Sequence, residues 1–135
     1  MSKIFHNVIK PFAATVIGQA TTDSTTCKWL DISGWTDKVV TVECDDEGGA
    51  VDIDIDINML VSSKDAYTLN NQATVDTEDY VSVTIVEAHT TAVYTRFDSD
   101  DVDDLAQPIR SCKFTIDNDD ATDDVTVNLT IEGWS

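Results

Sequence analysis

Apolar and polar residues alternate along most of this chain with a period of two. The clearest run is VDIDIDINM at 51–59. Val51, Ile53, Ile55, Ile57 and Met59 fall on one side, and Asp52, Asp54, Asp56 and Asn58 on the other. Successive side chains of a strand point to opposite faces, so this spacing predicts a strand with one buried and one wet face. VVTVEC, DYVSVTIVEA, TAVYTRF, PIRSCKFTI and the closing VTVNLTIEGW carry the same signal, and CKWLDI reads as a shorter strand. Val8 to Ile17 is a first candidate strand. Between these runs lie turn formers: SGWTD, where Gly34 can take positive φ, DDEGG, DSDDVDD at 98–104 and DNDDATDD at 117–124. Residues 62–78 read as one long polar loop. Nothing shows a helical period beyond a turn near Leu105. Seven or eight short strands at this spacing predict an all-β chain, an antiparallel β-sandwich or barrel.

Composition agrees and adds a charge. Of 135 residues, 26 are acidic and 8 basic, a net −18. Twenty-one of the acids are Asp, which favours turns, and only five are Glu. A hydrophobic fraction of 41% is enough for a core, so the acid does not signal disorder. Such a surface repels phosphate backbones and anionic membranes, so neither nucleic acid nor a membrane is an expected partner. No apolar run approaches the roughly 20 residues of a membrane span. The start, interrupted by Pro11, lacks the apolar centre of a secretory signal. Cys27, Cys44 and Cys112 are odd in number and without CxxC spacing, which fits buried, reduced thiols in a cytosolic setting.

The charge is unevenly divided. The first 22 residues hold Lys3, His6 and Lys10 and no acid. Residues 1–22 are therefore read either as an ordinary first strand whose lysines guard an edge or as an arm that docks on another chain. Residues 23–135 form the sandwich domain.

Few residues suggest chemistry. Calcium takes six to eight oxygens at about 2.3–2.6 Å, whereas alternate residues on a strand lie roughly 6.5–7 Å apart. Asp52, Asp54 and Asp56 cannot by themselves enclose one ion, and the aspartate ladder reads as a solvated face. EF-hand spacing also fails: counted from Asp52, Asp98 or Asp117, the glycine position holds Ile57, Asp103 or Thr122. The acidic turns are the better candidates for a weak Ca2+ site, with Asp98, Asp100 and Asp101 in one and Asp117, Asp119 and Asp120 in the other. His6 and His89 stand in no recognisable triad, and there is no phosphate-cradling glycine loop. The expectation is a protein without enzymatic activity or a required cofactor. Among the aromatics, Trp29 is a core candidate, while Trp35, in a turn, and Trp134, beside the C-terminus, are candidates for an interface or a sugar-stacking platform.

The order WLDISGW, VVTVEC, a Gly turn, VDIDIDINM, PIRSCKFTIDN and VTVNLTIEGW, over residues 27–134, resembles small accessory proteins of tailed-phage virions, head decoration (cement) proteins above all. SSKDAY departs from them by carrying Ala66 where a glycine is common. The resemblance implies a β-sandwich or jelly-roll-like module on the outside of a capsid, assembled in the host cytoplasm and bound to the major capsid protein as a homo-oligomer, a trimer above all. Lys3, Ile4, Phe5, Val8, Ile9, Lys10 and Phe12 would then anchor the arm on the shell, and deleting residues 2–12 would spare the fold. The rival expectation is a carbohydrate-binding or host-adhesion sandwich module, with or without calcium.

Overall fold

In the computed structural model the described residues are 6–18, 25–46, 55–89, 94–98, 109–119 and 124–135. Nine strands lie among them: β1 His6–Ile17, β2 Thr25–Thr26, β3 Leu30–Asp31, β4 Asp37–Asp46, β5 Ile55–Ser62, β6 Val81–His89, β7 Tyr94–Asp98, β8 Ser111–Asn118 and β9 Val125–Trp134. β2 and β3 are two short pieces that lie in line along β8, Thr25 opposite Ile116 and Leu30 opposite Cys112. Counted as one interrupted strand, they make eight, in agreement with the expected number.

One sheet runs β1-β9-β4-β7 and the other β2-β8-β5-β6, with every pairing antiparallel. The first strand pairs with the last, the interrupted second with the last but one, and β4 and β5 pair with β7 and β6. This nested order, rolled into two facing sheets, is the jelly roll.

The predicted alternation sets the core. Val125, Val127, Leu129 and Ile131 of β9 are fully buried, while Thr126, Asn128, Thr130 and Glu132 between them are half-buried on the outer face. Ile55, Ile57 and Met59 of β5 pack inward against Cys112, Phe114 and Ile116 of β8. Val51, Asp52, Ile53 and Asp54 lie outside the described residues. One core position of β4 is a lysine. Lys38 is 1% exposed, and burial pushes its amine below the usual range, with Asp37 opposing.

Two expectations are corrected here. Residues 62–78 are not a single loop: Ala66–Asn71 form helix α1 and Thr77–Asp79 a 3-10 turn. Asp65 starts the helix by accepting the Thr68 N–H at 2.7 Å. Ala66 and Leu69, three apart, face inward onto Trp29, with Leu60, Val75 and Tyr80 at the rim of this small second core. Six residues are too few for a helical period to show in sequence. Ala66 in place of glycine suits this position, since it is the first helical residue. CKWLDI, in turn, is strand only at Leu30 and Asp31, and Cys27–Trp29 between the two pieces make no ladder pairing. The predicted Gly34 turn is present with φ 80°. The turn near Leu105 lies outside the described residues.

Candidate interaction surface

β1 is long, lies at the edge of its sheet, and is not a free arm. It pairs with β9 from His6 opposite Trp134 to Ile17 opposite Val125. Phe12, expected to anchor the arm on a partner, is 3% exposed in the core, and Ile9 packs against that core. Removing residues 2–12 would strip both from the sandwich, so the expectation that the fold survives is corrected. Val8 and Lys10 do face solvent, and Lys3, Ile4 and Phe5 lie outside the described residues.

The path of β1 is irregular twice. Between Ile9 and Phe12, and again between Phe12 and Thr15, it spends one residue more than β9 does. Pro11 lies in the first bulge and cannot donate to a ladder. Ala14, in the second, has φ 46°, and its N–H donates to Asn128 Oδ1 at 2.8 Å. Bulges and proline are how edge strands avoid adding a further strand.

Trp35 and Trp134, both expected at the surface, part company. Trp35 is 5% exposed, a correction of that expectation. The chain after the Gly34 turn folds its indole onto Gly133, where any Cβ would overlap the ring. Trp134 is half-buried on the outer face of the sheet. His6 stacks on it, centroids 4.9 Å apart and planes 11° apart, and His6 Nε2 lies 3.2 Å from Glu132 Oε2. On the opposite sheet, Lys113 Nζ sits 5.9 Å from the Trp29 ring centroid.

The acidic turns fall mostly outside the described residues: Asp100, Asp101 and Asp120 entirely, Asp98 in its side chain. Asp117 belongs to β8 instead of a turn and is half-buried on the outer face, directly opposite Asp56 of β5. Asp119 follows β8 and is exposed. Among the described residues no three metal-ligating side chains converge. The His89 side chain is likewise outside them. Cys44 and Cys112 are buried, Cys27 is half-buried, and burial raises all three thiols, Cys44 to about 11. Among the described residues no helix is long and apolar enough to cross a membrane.

What sequence reasoning missed is the contrast on the surface. Val8 and Val16, 50% and 55% exposed, both lie on β1. Between and beside them are exposed Lys10, Ala13 and His6, and β1 contains no acid at all. The acid-free start was a usable signal. That the same strand shows two valines to solvent was not legible before its partner was known.

The chain matches no protein-family model and no curated protein sequence. It does match solved structures. One is the crystal structure of the infectious bursal disease virus VP2 subviral particle, at 10% identity and a TM-score of 0.52, over 98% of this chain and 32% of that one. Another is the structure of the infectious bursal disease virus Gx strain, at 11% identity and a TM-score of 0.60, over 98% and 33%. The chain thus spans about a third of the length of these structures. At such identity the likeness is one of fold. The class is an all-β jelly roll of the kind found in viral capsid proteins.

Proposed function

We propose that this protein is a non-enzymatic viral structural protein that binds the outer surface of a capsid and stabilises the shell, a decoration protein. The observation that carries the reading is the nested jelly-roll order of the two sheets, together with the likeness of fold to the infectious bursal disease virus VP2 subviral particle structure. Its partner is the major capsid protein and its place the virion exterior, after assembly in the host cytoplasm. A strongly acidic body suits constant exposure to solvent. No cofactor is needed. A subunit that touches several capsomers must leave before they separate, so its binding free energy adds to shell stability, and multiple contacts raise occupancy without any single strong interface.

The test is mass spectrometry and cryo-electron microscopy of purified particles, with thermal melting of particles that carry or lack this chain. Capsid-like copy number and a raised melting temperature are expected. Absence from particles overturns the proposal.

A second reading, a carbohydrate-binding or host-adhesion module, is favoured by one feature: jelly rolls also serve as lectins, and Trp134 is an indole on an outer sheet face. A glycan array with and without EDTA decides it. A hit that Trp134→Ala abolishes supports adhesion, and loss in EDTA would bring in calcium.

A further inference from the structure

We infer that the outer half of β1, residues 6–10, is a strap whose hold on β9 is set by the charge on His6, tight in mild acid and looser in mild base. The inference rests on neither functional reading and needs no partner for its test.

The strand falls into two halves. Its register against β9 breaks between Ile9 and Phe12, and Pro11, inside that break, has no N–H to give to a ladder. Past the break β1 is anchored, because Phe12 and Ile17 are buried in the core. Before it, His6, Asn7, Val8 and Lys10 are exposed, and of these first five residues Ile9 alone packs against the core. A segment that buries so little apolar area opens locally more easily than the rest of the sheet. Opening it would bare Ile9 and leave the edge of β9 unpaired at 131–134.

The side-chain hold on this half is concentrated at its tip. His6 pairs with Trp134 of β9, and Trp134 pairs on its other side with Asp37 of β4, so the three share one row across the outer face. The imidazole lies on the indole with centroids 4.9 Å apart and planes 11° apart, and its Nε2 is 3.2 Å from Glu132 Oε2. Both contacts gain from a proton on the ring. An imidazolium is drawn to the face of an indole as a neutral ring is not, and its N–H makes a charge-assisted hydrogen bond to a carboxylate. Among the described residues, the charged groups turned toward His6 from the neighbouring strands are Glu132 of β9 and exposed Asp37 of β4, both acids. Lys38, next to Asp37, is buried on the inner side. On β1 itself Lys10 lies four residues on, roughly 13 Å along a strand, which is beyond a Debye length at physiological salt. Histidine is the side chain whose ordinary charge change falls between pH 5 and 8. Mild acid therefore places a cation between an indole face and a carboxylate and tightens the strap; as pH rises the cation is lost and the strap loosens.

The experiment is amide hydrogen exchange on the intact chain at about pH 5.5 and about pH 8, on either side of the ordinary imidazole range, with each rate corrected for its intrinsic pH dependence. The wild type is compared with His6→Phe and Glu132→Gln, and circular dichroism confirms that both variants fold. In the wild type, protection over residues 6–9 and 131–134 should fall about threefold or more from the acid to the alkaline condition. Protection over residues 15–17, past the break, should stay level. His6→Phe keeps an aromatic ring on the indole but takes up no proton, so its protection should not change with pH. Glu132→Gln leaves an acceptor without a charge, and its response should be smaller than that of the wild type. Wild-type protection that is level with pH overturns the inference. So does a response that both variants keep in full, or one spread evenly along the whole of β1.

Discussion

The side-chain amide of Asn70 makes both hydrogen bonds that the Trp29 backbone would otherwise make in a sheet. Its Oδ1 accepts the Trp29 N–H at 2.9 Å, and its Nδ2 donates to the Trp29 carbonyl at 3.0 Å. Trp29 lies in the gap between β2 and β3, where the ladder to β8 lapses. The α1 helix thus supplies a substitute strand, one residue long, and closes an otherwise open edge.

Asn70→Ala removes both bonds from a residue whose side chain is core. It should destabilise the protein by about 1–3 kcal/mol, read as a lower denaturation midpoint with an unchanged slope. Asn70→Asp keeps the acceptor and loses the donor, and should fall between the two.

Gly133 and Trp35 form a second dependent pair. Gly133→Ala drives a methyl group into the indole and should cost about 1–3 kcal/mol or more. Trp35→Ala should cost about 3–5 kcal/mol by leaving a cavity. Combined, the two should cost clearly less than their sum, because the methyl then has room. Additive values in a double-mutant cycle would contradict the contact.

β1 offers a direct comparison between core and surface on one strand. Phe12→Ala should cost about 3–5 kcal/mol, whereas Val8→Thr and Val16→Thr should stay within about 0.5 kcal/mol. Equal, small effects at all three positions in urea titrations would return β1 to the status of an arm.

Acid and alkaline limbs have separate causes. Among the described residues, three carboxyls are held below their ordinary range. The Lys64 ammonium and the Asp76 N–H hold Asp79, the Thr68 N–H and hydroxyl hold Asp65, and the Ser33 N–H and hydroxyl hold Asp31. Unfolded carboxyls titrate near 3.9, so this stability is present above about pH 4 and is lost as pH falls through the lower native values. Asp65→Asn, which still caps the helix, should flatten the acid limb and leave neutral stability nearly unchanged. Lys38 works in the other direction. Its buried amine loses its proton more readily than in the unfolded chain. Between the lowered native pKa and the unfolded value near 10.4, the unfolded state binds more protons and stability rises with pH. Lys38→Met should abolish that rise in pH-resolved urea midpoints.

The long alternating strands were legible because the two-residue pleat is a local property: β9 spans VTVNLTIEGW, and Ile55, Ile57 and Met59 face inward as their spacing predicts. The surface was harder to read. Trp35 looked exposed because it follows a turn, and Phe12 because it sits near the terminus. Each is buried by a partner remote in sequence, Gly133 for the first and β9 for the second. α1 was missed because six residues cannot display a period, and its apolar face makes sense only against Trp29.

By itself, then, the sequence determined the strand type, the faces of the sheets, the acidic surface and the acid-free start, all of which are local in the chain. Only the tertiary structure decided which strands pair, that β1 is an edge with a wet cationic-apolar side, and that Lys38 lies inside. Those outcomes rest on contacts between distant segments, as between His6 and Glu132, 126 residues apart. No local spacing encodes which partner will remove a given side chain from water.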